Sequence, residues 1–182
     1  LERHGHEHES VGLTLHKIAT TYMRRQCYEK AIQASEKAIF VRKIALGPES
    51  PDVAVSLVQL GVAYFESKQY HLALKTFHEA LRIRRICLGS KHLKVSMLLN
   101  NLGCTLKQLN ENREANEFFQ EALDIQKSAL QSMAESNSKS ALRQLSLSTA
   151  STLSNICTVK LSLNLYAEAM EALEEALAVS PL

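Results

Sequence analysis

The chain has 182 residues, 46% of them hydrophobic and 22% charged, which suits one compact domain or a short run of repeats. A net charge of +2 gives no general drive towards nucleic acid or an anionic membrane, so those partner classes are set aside. With only 6 Gly and 3 Pro to interrupt it, a composition rich in Ala, Leu, Ser, Glu and Lys favours helix over strand.

Taken in order, the apolar residues recur at helical spacing and predict helices over 10–25, 28–46, 51–67, 70–88, 92–109, 112–131, 142–163 and 166–179. Ser50-Pro51-Asp52 is a start signal, a capping residue followed by proline in the first turn. Gly47 and Gly89 stand where glycine ends a helix. The short connections near 26–27, 68–69 and 110–111 force antiparallel neighbours.

The helices repeat. Leu57-x2-Leu60-Gly61-x2-Tyr64, Ala73-x3-Phe77 and Ala80 recur 42 residues later as Leu99, Leu102, Gly103, Leu106, Ala115, Phe119 and Ala122. They recur 42 residues earlier as Leu15, Ile18, Ala19, Tyr22, Ala31, Ser35 and Ala38. A fourth copy (Leu153, Ile156, Cys157, Lys160, Ala169, Leu173, Ala176, with Pro181 closing it) follows 54 residues after the third, so extra chain is inserted before it. Small residues at 19, 61, 103 and at 31, 73, 115, 169 let paired helices approach closely. The expectation is one array over 1–182, with repeats at about 10–47, 51–89, 92–131 and 147–181 and a serine-rich insertion, 132–148, as a flexible loop. Arg143 three residues before Ser146 marks a candidate phosphorylation site there.

This pattern resembles the tetratricopeptide repeat, and its 42-residue period is similar to the long repeats of kinesin light chains. The resemblance rests on Leu46-Gly-x3-Pro-Asp-Val-Ala54, Leu98-Leu-Asn-Asn-Leu-Gly103 and Ala80-Leu-x-Ile-Arg-Arg-Ile86. It implies an all-α fold, a right-handed α-solenoid of antiparallel helix hairpins whose first helices line a concave groove. It also implies that the groove holds an extended peptide, with asparagines of the Leu-Asn-Asn-Leu motif gripping it. The matching residues are Asn100 and Asn101, and Asn155 in the fourth copy. Helical spacing adds Val58, Val62, Phe65, Met97, Gln108 and Arg24 to the candidate groove. Part of the valine stripe must serve the core.

Other features have simpler readings. His4-Gly5-His6-Glu7-His8 resembles a metal site, but residues 4–11 align with 46–53 and are expected to form an inter-repeat linker, so no metal is assigned. Arg82, Arg84, Arg85, Lys91 and Lys94 with His92 would attract an acidic peptide or simply form a solvated face. Glu168, Glu171, Glu174 and Glu175 would face a basic partner, water or a further repeat of the chain. Lys17, Asn101 and Arg24 are too few for a carboxylate clamp. Cys27, Cys87, Cys104 and Cys157 form no CxxC and fall in apolar helical patterns, which suggests reduced thiols and a cytoplasmic location.

No apolar run is long enough to span a bilayer, and no phosphate loop, HExxH or nucleophile elbow occurs, so neither membrane insertion, cofactor nor enzymatic activity is expected. The first residue, Leu1, suggests an excised fragment. The sequence therefore reads as an adaptor or scaffold module that binds a protein or peptide. The alternatives are a structural spacer, or a regulatory repeat domain attached to a catalytic domain outside the fragment.

Overall fold

The computed structural model describes residues 2–134 and 139–179, with side chains described from Glu9 onward and not at Ala134. The described residues form eight helices and no strand: α1 (Glu2–Arg24), α2 (Tyr28–Leu46), α3 (Pro51–Glu66), α4 (Tyr70–Leu88), α5 (Leu93–Gln108), α6 (Asn112–Ala134), α7 (Lys139–Ser162) and α8 (Tyr166–Val179). They pack as hairpins α1–α2, α3–α4, α5–α6 and α7–α8, in an all-α repeat-solenoid fold. Two compact units divide the chain, Leu1–Ser90 and Lys91–Leu182, each holding two hairpins.

Every hairpin turns in the same way. Gln26, Lys68, Asn110 and Asn164 hold the left-handed conformation, at φ of 57°, 63°, 62° and 60°. The next amide in each case donates across the turn: Cys27 to Tyr22 O, Gln69 to Tyr64 O, Glu111 to Leu106 O and Leu165 to Lys160 O. This closure satisfies carbonyls that the end of a helix leaves open. The 42-residue ruler is thus written in the backbone as well as in the side chains.

Close approach of helices sets the interior. A Cβ added to Gly61 would sit 2.4 Å from the Phe77 ring, and one added to Gly103 would sit 2.6 Å from the Phe119 ring. Both rings are essentially fully buried, and Ala73, Ala115 and Ala169 are buried at the crossing position of their second helices. The first hairpin solves the same volume problem differently, with Ala19 facing a small Ser35, both at 0% exposure. Ser35 Oγ is buried without a hydrogen-bond partner among the described residues.

Polar side chains fix the step from one hairpin to the next. Arg42 of α2, 4% exposed, donates through Nη1 to Asp52 O (2.9 Å) and to Ser56 Oγ (2.7 Å) of α3. In the second unit the equivalent residue of α6, Gln126, donates to Ser148 Oγ of α7 at 3.1 Å. The start of α3 is capped as its sequence requires, with Ser50 Oγ accepting from the Asp52 amide. His92 Nδ1 does the same for α5, accepting from the Lys94 amide. Gly47 sits at φ 87°, ψ 158°, a region that only glycine enters without strain.

Two sequence expectations are corrected. Residues 4–11 are helical, part of α1, rather than a linker. Their alignment with 46–53 matches Gly5 to Gly47, but His6 and Glu9 stand where Pro48 and Pro51 break the chain, so nothing interrupts the helix. The described residues of the insertion 132–148 are helical rather than loop: α6 runs on to Ala134 and α7 starts at Lys139. The helical spacing Leu142, Leu145, Thr149, Thr152 continues through the serines, and serine on an exposed helix face is tolerated. Ser136, Ser138, Pro181 and the side chains of His4, His6 and His8 lie outside the described residues.

Gly103→Ala forces a methyl group into the Phe119 ring and should cost about 1–3 kcal/mol, read as a lower guanidinium midpoint. Ser35→Phe alone overpacks the first hairpin. Paired with Ala19→Gly it recreates the glycine–phenylalanine contact, and a double-mutant cycle should show favourable coupling of about 1 kcal/mol or more.

Candidate functional site

The expected site residues all lie on first helices, some of them exposed and others engaged within the fold. In the first unit, Val58 and Val62 of α3 are half-buried and Val55 is more exposed. Phe65 is half-buried against Tyr70, edge to face at 5.5 Å between ring centres, so it braces the α3–α4 turn. Arg24, in the last turn of α1, is exposed.

Gln59 links this face to α1. Its Nε2 donates to Thr20 Oγ1 at 2.6 Å and to His16 O at 3.3 Å, while the Thr20 hydroxyl donates back to His16 O. His16 is half-buried, and its Nδ1 has no hydrogen-bond partner among the described residues. Burial above all, then the positive charge of Arg42, lowers its pKa from the ordinary 6.5, with Asp52 opposing. Tyr64, which donates to Glu36 of α2 at 3.0 Å, is pushed up to about 12 by burial and by that carboxylate.

In the second unit Met97 is 59% exposed, Gln108 exposed, and Asn101 half-buried with no side-chain hydrogen bond among the described residues. The other two asparagines are engaged within the fold. Asn100 Nδ2 donates to Thr152 Oγ1 of α7 at 2.8 Å, and the Thr152 hydroxyl donates in turn to Ser148 O. Asn155 Oδ1 accepts from Lys107 Nζ at 3.2 Å, and its amide contacts Cys104 Sγ at 3.8 Å. Burial raises the Cys104 thiol's pKa, with Lys107 opposing. Asn100 and Asn155 therefore tie α5 to α7, leaving Asn101 as the amide still open to a ligand.

Sequence reasoning missed a recess beside these residues. Leu93, Ser96 and Met97 of α5, Met133 of α6, and Ala141, Gln144, Leu145 and Ser148 of α7 line about 250 Å³ of mostly apolar space. It exists because the insertion lengthens α6 and α7, giving the end of α5 two extra walls. The available signal was the apolar spacing of Met133, Ala141 and Leu145 among the serines. Ser146 itself lies inside α7, half-buried, with Arg143 exposed one turn before it.

Charge is segregated in this unit. The first helices α5 and α7 carry Lys94, Lys107, Lys139, Arg143 and Lys160 and no Asp or Glu, whereas α6 and α8 hold Glu114, Glu117, Glu121, Asp124, Glu168, Glu171, Glu174 and Glu175 against the cations Arg113 and Lys127 of α6. Lys160 is neutralised by Glu168 at 3.1 Å, but Lys139 and Arg143 are exposed beside the recess. The other basic residues singled out in the sequence are partly spent locally: Arg82 pairs with Glu49 at 2.6 Å, and burial lowers the Arg84 pKa. Among the described residues no cluster of His, Cys, Asp and Glu is arranged to hold a metal ion, and no helix is long and apolar enough to cross a membrane.

The repeated hairpin, its glycine–phenylalanine crossing and its uniform turn define a helical repeat protein. The tetratricopeptide repeat family model matches residues 10–85 and 55–128, together more than half of the chain, and the chain belongs to that family. No curated protein matches the sequence. Among solved structures, BtubC (BKLC) from P. vanneervenii is similar at TM-score 0.81 and 20% identity, over 92% of this chain and 62% of that one. The apo form of RapI is similar at 0.77 and 15%, over 93% of this chain and 56% of that one. A putative kinesin light chain with nearly identical TPR-like repeats from Podosopora anserina is similar at 0.59 and 17%, over 95% and 96%. The chain thus spans about three fifths of BtubC's length. Tetratricopeptide repeats are in general protein–protein interaction modules, and most relatives of this fold are non-catalytic scaffolds.

Because the unfolded chain takes up a proton on His16 before the folded chain does, this residue withdraws stability as the pH falls from 7 through 6.5 towards its lowered pKa. His16→Gln should flatten the loss of stability between pH 7 and 5 relative to the unsubstituted protein, measured by denaturant titration at each pH.

Proposed function

We propose that the protein is an interaction module whose first-helix faces hold an extended segment of a partner protein, in an adaptor or scaffold role. The observation that carries this reading is the face of α5 and α7, where an apolar recess lies beside the amide of Asn101 and near the exposed cations Lys139 and Arg143 of α7, a helix that carries no Asp or Glu. The recess is sized for one bulky side chain, Asn101 and Gln108 offer hydrogen bonds to a peptide backbone, and Lys139 and Arg143 favour acidic residues flanking the anchor. In the first unit Val58, Val62 and Arg24 offer a smaller face of the same kind. The 42-residue period and the likeness to the Podosopora anserina repeats support the long, kinesin light chain-like repeat type. The exposed free thiols of Cys27 and Cys87 support a reducing, cytoplasmic setting.

Selection of unstructured peptides from a displayed random library tests this directly. Enriched sequences should carry a large apolar residue flanked by Asp or Glu, and Met97→Asp should weaken their binding at least tenfold with helix content unchanged. Enrichment of basic peptides, or binding indifferent to Met97→Asp, would count against the reading.

A further inference from the structure

Two of the chain's 4 methionines meet in the recess of the second unit. Met97 enters it from α5 at 59% exposure, and Met133 lines it from α6, half-buried. Packing alone does not call for sulfur at the first of these positions. One and two periods earlier the register places carry Val55 and Leu13, exposed residues that supply apolar bulk without it. The walls beside the two methionines, Leu93 and Leu145, hold no reactive atom. The Ser96 hydroxyl, on the same stretch of α5, is already spent, donating to Leu93 O at 2.9 Å. A thioether suits such a place because it is soft and adapts to an apolar guest. It is also the apolar side chain that peroxides convert most readily into a polar one.

We propose that Met97 and Met133 make the recess a site of reversible sulfoxidation by hydroperoxides, and that the sulfoxide expels the partner's apolar anchor. The inference rests on the reading of this recess as the anchor's seat. In the reaction the thioether sulfur attacks the hydroxyl oxygen of the hydroperoxide. The O–O bond breaks, an S=O bond forms and the sulfur gives up two electrons. The departing oxygen keeps the bonding pair, takes the peroxide proton and leaves as an alcohol, or as water when the reagent is hydrogen peroxide. Met97 reacts first, because its side chain is the more exposed of the two.

The product differs from the thioether by one strongly dipolar bond, whose oxygen is hydrated while the recess is open. Seating an apolar anchor strips that water, and the Ser96 hydroxyl has no proton left to replace it. The lost hydration therefore opposes binding. Sulfoxide reductases restore the thioether, and the exposure of Met97 leaves its sulfoxide within their reach.

The test partitions lightly oxidised protein on its ligand. The full chain is treated with hydrogen peroxide and passed over an immobilised peptide selected from the displayed library. Mass spectrometry then maps oxidation residue by residue in the bound and unbound fractions. Sulfoxide at Met97 should be enriched about tenfold in the unbound fraction. Sulfoxide at Met23 and Met170, which line no part of the recess, should divide evenly. Treating the unbound fraction with the two methionine sulfoxide reductases, one for each epimer, should restore its binding. A Met97→Leu, Met133→Leu double variant should bind equally before and after peroxide, whatever affinity it starts from. Even division of Met97 sulfoxide, or a peroxide effect that persists in the double variant, would overturn the switch and leave the anchor reading standing. A library that yields no binder would overturn both.

Discussion

The contact on which the other features depend is the seating of a phenylalanine ring on a bare glycine backbone, Phe77 on Gly61 and Phe119 on Gly103. With a ring atom inside 3 Å of where a Cβ would stand, the two helices of a hairpin meet at backbone distance, and neither residue tolerates replacement without moving the other. A helix clamped so closely on one side has its rotation fixed. Its remaining surface is then divided between the neighbouring hairpin and solvent, and the solvent share becomes available for binding.

Polar side chains complete the division. Arg42 and Gln126 hold successive hairpins at the entrance of the next first helix, and Gln59 and Asn100 place an amide on a threonine hydroxyl of an adjacent first helix. Buried polar groups of this kind are costly when unpaired and select one register when paired. Their use for register is why Asn100 and Asn155 serve the scaffold, while Met97, Asn101 and the recess at Met133 and Leu145 form the proposed binding face. The basic side chains of α5 and α7 then act without nearby carboxylates on their own helices.

Much of this was legible in the sequence, because helix formation follows local spacing. The bounds 28–46, 70–88 and 166–179 coincide with α2, α4 and α8, and the glycine, alanine and phenylalanine positions of the crossings fall where the repeat put them. The failures have physical causes. Extending the period back over 4–11 ignored the missing prolines, without which a lone glycine does not end a helix. Serine content suggested a loop at 132–148, although apolar spacing makes the described residues from Lys139 helical. The asparagine roles were out of reach because they depend on partners such as Thr152, 52 residues along the chain. The recess depends in the same way on three helices meeting.

In the proposed mode of binding the second helix of each hairpin is scaffold and the first-helix face receives the ligand. Amide hydrogen exchange on the full chain, free and saturated with a library-selected acidic peptide, measures this most directly. Added protection should concentrate in α5 and in the first turns of α7, with α8, and α6 before the turn of Met133, unchanged. Protection gained chiefly along α6 and α8, with α5 unaffected, would contradict it.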